Sequence, residues 1–435
     1  MNLYIELEIY NREFDSKLLL GLEAARRGIN VLIGHRDIIY NLAINNKIPP
    51  GIIHMKDANS THERVKKLKE LKKKKFVFTA QDEESGLLDI TYEKFAQRRF
   101  GDSKSFKFIK YFFCWGKRDY KFIGKKFNNA KLTGSPRFDL YRDAKKEKFN
   151  KKRILIVSSF NTNGLRSFAE RIYSQLSDRK LFKNETEKFA YNIESIHVLK
   201  IYSFVKLIRF LISRFKNYKI ILRPHPAEKK EDWEKLINLK SDNFYFDNYS
   251  TLEQSIKNSS VIIQNGCTSA IESVLLNKPC ISFVQKNWTE DTLAKFPNSL
   301  GIMAKNHNDI EKIINFKKYK NDKKFKKILS KRLLYNSKIP AYEKQVEYFE
   351  KIYNEKFNSE FDMSLRLTLI LKKFFRKYRD KIARRKKTVM EEKFPEFRND
   401  EIQNKIKELS LRFKKTDFRL IKYSILSERL LFLKK

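Results

Sequence analysis

Over the first 140 residues, short apolar runs alternate with stretches whose apolar positions recur every three or four residues. A run too short for a helix, followed by a helix-period segment and then another run, predicts βαβ units and a parallel sheet. The predicted strands are YIELEI, NVLIGH, GIIHMK, FVFTAQ, FFCWG and AKLTG. Between the first two lies DSKLLLGLEAARRG, a predicted helix with Asp15 or Ser16 as N-cap and Gly28 as its stop.

Near residues 143–152 the pattern lapses into DAKKEKFNKK, charged and without apolar period, and a second α/β series begins at RILIVSSF. It continues through the long helical stretch IHVLKIYSFVKLIRFLISRF, the strand KIILRPHP, the helix EDWEKLINL, the strand NFYFD, the helix TLEQSIKNS, the strand VIIQNG, the helix SAIESVLLN and the strand CISFV. The expected organisation is a Rossmann-like lobe over 1–145, a second over 150–320 and a basic helical extension over 321–435, where the strand pattern stops. Segment 361–435 carries 23 Lys or Arg against 10 Asp or Glu. Within it, SLRLTLILKKFFRKY at 364–378 places an apolar stripe beside a basic side, which suits either packing on a lobe or peripheral contact with an anionic membrane.

Composition narrows the classes. The 435 residues exceed one domain, and 41% hydrophobic content with 36 Phe and 20 Tyr is enough for sizeable cores. The formal charge of +42 raises a polyanion partner, yet the lysines are spread over the whole chain with abundant Asn, Ile and Phe, so nucleic acid is unlikely as the partner. Three scattered cysteines, Cys114, Cys267 and Cys280, make neither a disulfide framework nor a zinc site. Glu6, Glu8 and Glu13 stand where a signal peptide carries positive charge, and no run approaches a transmembrane length; a cytoplasmic place, at most at the inner face of the membrane, is expected.

The strongest chemical signal is RPHPAE at 223–228, directly after a strand, with QNGCTSAIES at 264–273 directly after another. Two prolines pre-set the loop that holds His225. Asn265-Gly266-Cys267 leads into a helix that opens with Thr268 and Ser269, where amides and hydroxyls can receive a phosphate. Arg223 and Glu272 complete the expected nucleotide-binding set. Taken singly, Thr268 and Ser269 equally suit a helix cap, and His225 equally suits a structural loop. In the first series, Asp82, Glu83 and Glu84 follow the strand FVFTA and supply carboxylates for a general base, or else a solvated acidic turn. Arg12 and Glu13 after the first strand, and Arg137 in TGSPRFDL, are candidate substrate-binding residues. Arg137 suits equally a pair with Asp139 or Asp143. His35 has similar standing, while His54, His62, His197 and His307 carry no special context. No DxD-type metal motif stands in a suitable place, so neither metal nor cofactor is expected.

RPHP and CTSAIE resemble the HP and S/T-S motifs with which bacterial sialyltransferases, Kdo transferases and capsule polysaccharide enzymes hold a CMP-sugar. YNREFDSKLLLGLEAARRGINVLIG, DEESGLLD, CWGKRDY and TGSPRFDL are similar to the bacterial surface carbohydrate biosynthesis proteins. That resemblance implies two Rossmann-like lobes facing across a cleft, the GT-B arrangement, and a metal-independent glycosyltransferase acting on a nucleotide-sugar and a glycan or lipid-linked acceptor. It places His225 and Ser269 on the donor phosphate with Thr268 beside them. It puts the base in an acidic motif to which Glu83, Glu84 and Gly86 are similar, although Ser85 is inserted. Three alternatives stand beside it. A UDP-GlcNAc 2-epimerase would need DSGGxxEE where this chain has NGCTSAIES, of which only Glu272 survives. A transferase of glycerol phosphate from CDP-glycerol also uses an HP loop and a serine-rich turn, and a non-catalytic scaffold would keep only the shell.

Overall fold

The computed structural model describes residues 1–84, 104–142, 152–160, 184–225, 228, 230–247, 249–285, 295–316, 322–335, 337–356 and 394–435. The chain is an α/β protein with two Rossmann-like lobes, dividing into two compact units. The first gathers the described residues of 1–142 and Ser330–Lys435; the second takes those from 143 to 329.

In the first unit the chain runs β1 (Asn2–Leu7), α1 (Tyr10–Arg26), β2 (Asn30–His35), α2 (Arg36–Ile44), β3 (Ile52–Met55), α3 (His62–Lys73), β4 (Val77–Ala80), β5 (Ile109–Cys114), α4 (Lys117–Lys126), β6 (Ala130–Leu132) and the single turn α5 (Pro136–Asp139). β1 pairs in parallel with both β2 and β3, and β4, β5 and β6 follow in parallel beyond β3. β1 and β3 are buried along their whole length, as a parallel sheet covered on both faces requires.

In the second unit the order is β7 (Arg153–Val157), α6 (Asn184–Arg214), β8 (Lys219–Arg223), α7 (Lys230–Ile237), β9 (Phe244–Phe246), α8 (Leu252–Lys257), β10 (Val261–Gln264), α9 (Ser269–Leu275), β11 (Cys280–Phe283), α10 (Lys295–Ser299), β12 (Ile302–Ala304) and α11 (His307–Asn315), with α12 (Asp322–Ser330) leading out. Its six strands lie β12-β11-β10-β7-β8-β9 and are all parallel. The core packs Ile154, Ile156, Leu222, Ile263 and Phe283 of the sheet against Phe204, Leu207, Ile208 and Leu211 of α6.

Two expectations need correction. α1 begins at Tyr10 rather than after Asp15 or Ser16, with Ile9 in the N-cap position. The extra turn buries Tyr10 and Phe14, stacked at 4.6 Å between ring centroids, against Phe394 and Phe397 from the far end of the chain. Strands also do not stop near 320. After α13 (Ala341–Lys356) and α14 (Asn399–Arg412) come β13 (Lys422–Ser427) and β14 (Leu430–Lys434), and β14 pairs antiparallel with β2 to extend the first unit's sheet to eight strands. Leu430, Leu431 and Leu433 are fully buried there, so the end of the tail is part of the first lobe's core rather than an appended helix. The stripe at 364–378 lies outside the described residues.

Candidate functional site

In an open parallel sheet, ligands gather at the carboxyl ends of the strands where successive connections depart in opposite directions. The second unit has that switch between β7 and β10: the chain passes from β7 to β8 and β9 on one side, then returns to β10, β11 and β12 on the other. RPHP follows β8 and NGCTS follows β10, so both motifs end on strands that flank β7.

After β8, the His225 amide donates to Ser158 Oγ and to Glu228 Oε2, each at 3.2 Å. Glu228 is the organiser of this corner. Its carboxylate also accepts from the Phe160 amide (2.8 Å), from Trp233 Nε1 (2.9 Å) and from the Ser158 hydroxyl, tying the loop after β7 to the loop after β8 and to α7. Burial pushes its carboxyl above the usual range while these donors pull it back. Arg223 turns the other way, its Nη1 donating to Ser255 Oγ at 3.1 Å and lying 3.5 Å from Asp247. Burial lowers the Arg223 guanidinium's pKa, against the pull of Asp247.

After β10, Gly266 sits at φ +66°, in the left-handed region that favours glycine. Its amide donates to Asn298 Oδ1 at 2.7 Å, and the next amide, that of Cys267, donates to Gln264 Oε1 at 2.8 Å. Asn265 fixes the turn to β11 through Nδ2 and the Phe283 carbonyl (2.7 Å), and Ser159 Oγ donates to the Asn265 carbonyl (3.1 Å). Thr268 occupies the N-cap position of α9 without a side-chain capping bond, so its hydroxyl does not serve the cap alternative. Ser269 is fully buried and its hydroxyl has no hydrogen-bond partner among the described residues. Glu272 lies buried in the first turn of α9.

The first unit has its own switch between β1 and β3, with β2 on the other side of β1. Charged side chains crowd there. Arg12 Nη2 lies 2.9 Å from Glu13 and its Nη1 3.4 Å from Glu84, while Lys17 meets Glu83 at 2.5 Å with both side chains buried. Lys56 pairs with Glu8, and Arg64 with Asp57 at 2.6 Å. Burial opposes ionisation of Glu13, but Arg12 and Lys56 outweigh it and hold the carboxyl far below the usual range. The three acidic residues after β4 part company. Asp82 is fully buried and accepts the Glu84 amide through Oδ1 (2.8 Å); Glu83 is buried on Lys17, its Oε2 without a partner among the described residues; Glu84 keeps 36% of its side chain exposed.

Arg137 is buried in α5, close enough to Arg12 that their like charges interact. The turn before it is held by Gln81 Nε2, which donates to the Gly134 carbonyl at 2.8 Å, and Gly134 itself stands at φ +85°. Asp139 accepts the Tyr342 amide at 3.0 Å, and burial pushes its carboxyl up to about 7. Thus Arg12, Glu13, Glu83 and Glu84 come together with Arg137 near Arg12, while in the second unit the His225 loop and the loop before Gly266 are each hydrogen-bonded to the Ser158–Ser159 segment. His35 is a helix cap, its Nδ1 accepting the Asp37 amide at 3.3 Å. Sequence reasoning missed Glu228, Asn298, Ser158 and Lys17. Glu228 carried a signal, since a carboxylate three residues after a loop histidine can fold back onto its amide; Asn298 carried none.

No protein-family model matches the chain, and no curated protein does. Among solved structures it is similar to Staphylococcus aureus MnaA with UDP (13% identity, 82% of this chain and 99% of the other, TM-score 0.48). It is also similar to the Neisseria meningitidis UDP-GlcNAc 2-epimerase bound to UDP-GlcNAc (12%, 81% and 100%, TM-score 0.47) and to the wall teichoic acid polymerase TagF with CDPG (13%, 81% and 89%, TM-score 0.49). At such identity and score these likenesses say nothing of the reaction.

Proposed function

We propose that this chain is a metal-independent glycosyltransferase of the GT-B kind. It moves a sugar from a cytidine nucleotide to a surface polysaccharide or lipopolysaccharide acceptor. The observation that carries the reading is the placement of the His225 loop and the Gly266–Ser269 loop at the carboxyl ends of β8 and β10, the two strands that flank β7 at the sheet's switch, where a parallel α/β sheet takes nucleotides. The second unit holds the donor and the first the acceptor.

Bond breaking at the sugar leaves charge on the phosphate, and donors aimed at that charge lower the barrier. His225 and Ser269 supply them, and the frame built by Glu228 and Asn298 keeps them in place before the donor arrives. An acceptor hydroxyl needs a base to attack at neutral pH. Glu84 takes that role because it is the exposed carboxylate of the turn, while Asp82 builds the turn and Glu83 is neutralised by Lys17. Arg12 and Arg137 bind acceptor oxygens, and Glu13 fixes Arg12. Arg223 and Glu272 support the donor loops from behind, Arg223 through Ser255 and Asp247.

Glycerol phosphate transfer from CDP-glycerol is the second reading, favoured by the hydroxyls of Ser158, Ser159 and Ser269 around the same switch; turnover of CDP-glycerol in place of a CMP-sugar would establish it. Among the described residues no helix is long and apolar enough to cross a membrane. Of the two roles open to the basic stripe at 364–378, packing on a lobe or contact with an anionic membrane surface, the second is the assignment that a vesicle assay tests, each basic residue contributing roughly 1 kcal/mol. Failure to sediment with anionic vesicles at low salt refutes that assignment. The test of the function is His225→Ala. Turnover should fall by about two to three orders of magnitude while the melting temperature stays near the parent's; full activity would refute the phosphate role.

A further inference from the structure

We infer that Asn298, which no sequence motif marks, is a donor-binding residue that hydrogen-bonds a phosphate oxygen through Nδ2. The inference rests on the nucleotide-binding reading of Gly266–Ser269 and adds a residue from a different element. Asn298 lies in α10 and is 4% exposed. The Gly266 amide can only donate, so the Asn298 atom 2.7 Å from it must be Oδ1, and Nδ2 is thereby fixed as the other end of the group. Nδ2 has no partner among the described residues, and neither has the buried Ser269 hydroxyl three residues beyond Gly266. A buried amide nitrogen without an acceptor is costly, and natural proteins rarely retain one without a use.

Asn298 Nδ2 sits on a side chain bonded to the Gly266 amide and Ser269 Oγ three residues beyond that glycine, and an acceptor that takes several hydrogen bonds at once would satisfy both. A phosphate oxygen does so, and hydrogen bonds to an ionised acceptor are the stronger kind. The same side chain has a second task, since Oδ1 holds Gly266 in its left-handed conformation. One residue thus shapes the loop with one atom and receives the ligand with the other.

The two tasks separate in Asn298→Asp, which keeps an oxygen for the Gly266 amide and replaces the Nδ2 donor by a second oxygen that repels phosphate. Calorimetric titration of the full chain with CMP, CDP and cytidine is the experiment, with circular dichroism and melting as the check on folding. CMP and CDP should bind at least tenfold more weakly to Asn298→Asp, whereas cytidine, which lacks the phosphate, should change less than about threefold. Equal CMP affinity in parent and variant overturns the assignment, and so does an equal loss for CMP and cytidine. If the buried carboxylate unfolds the unit, Asn298→Ala provides the same comparison between CMP and cytidine. A parent chain that binds neither CMP nor CDP refutes the cytidine-nucleotide reading itself, a result distinct from a parent that binds CMP and an Asn298 variant that binds it equally.

Discussion

Replacing Glu228 by alanine removes a buried carboxylate that accepts from the Phe160 amide, Trp233 Nε1, the Ser158 hydroxyl and the His225 amide. Three of those donors belong to residues at most 5% exposed, with Phe160 and Trp233 at 4% and Ser158 at 1%, so water cannot replace the lost acceptor without entering the core. Each buried donor left unsatisfied costs ~1–3 kcal/mol; the Ser158 hydroxyl keeps the Arg223 carbonyl at 3.5 Å, so the Phe160 amide and Trp233 Nε1 together give about 2–6 kcal/mol. For a unit of this size about 1 kcal/mol moves the midpoint by roughly 2–4 °C, so the second unit should melt about 4–24 °C below the parent. Glu228→Gln keeps one acceptor oxygen and should lose about half as much. The assay is differential scanning calorimetry of the full chain, in which the transition of the second unit shifts while that of the first does not. A shift under about 2 °C for Glu228→Ala would show that the carboxylate does not hold the two loops together, and the pre-organised donor frame would fall with it.

Three further outcomes are expected. Glu84→Gln should lower kcat by about 10²–10³-fold with donor KM unchanged, because it removes the base and leaves the donor lobe intact; equal kcat would refute Glu84 as the base. Glu13, whose carboxyl is held well below its ordinary value of 4.5, stabilises the first unit above that pH, and this contribution is lost as the pH falls through the folded-state value; acid unfolding of Glu13→Gln should therefore be flatter below about pH 4.5 than the parent's. Deleting residues 422–435 strips Leu430, Leu431, Phe432 and Leu433 from the sheet, each 5% exposed or less, at ~1.5–3 kcal/mol apiece; the total of about 6–12 kcal/mol is comparable to the whole usual margin of a domain, and the truncated chain should be insoluble or fail to melt cooperatively.

The parallel sheets were legible because their strands are short apolar runs such as RILIV and KIIL, and a strand buried on both faces leaves that trace in any sequence. The helix at Tyr10 was misplaced because its first turn is stabilised by Phe394 and Phe397, nearly 400 positions away, and no local pattern reports such a contact. The same distance hid β14: LLFLK is a readable strand, but the strong basic bias around it reads as part of a basic helical extension. In the site, His225 and the Thr268-Ser269 pair stood out by motif. Lys17 and Asn298 did not, since a lysine in an amphipathic helix and an asparagine in a single helical turn acquire meaning only when the fold brings Glu83 and Gly266 to them. The division of Asp82, Glu83 and Glu84 into three roles likewise depends on burial, which adjacent residues of one type do not disclose.

The measurement that bears most directly on the account is a thermal-shift screen of the full chain and of Ser269→Ala against CMP, CDP, UDP and GDP. A donor site for a cytidine nucleotide predicts that CMP and CDP raise the melting temperature of the parent, that UDP and GDP raise it less, and that Ser269→Ala loses most of the rise while melting close to the parent without nucleotide. A rise with UDP or GDP alone would contradict the cytidine assignment, and no rise with any of the four would contradict the nucleotide-dependent transferase.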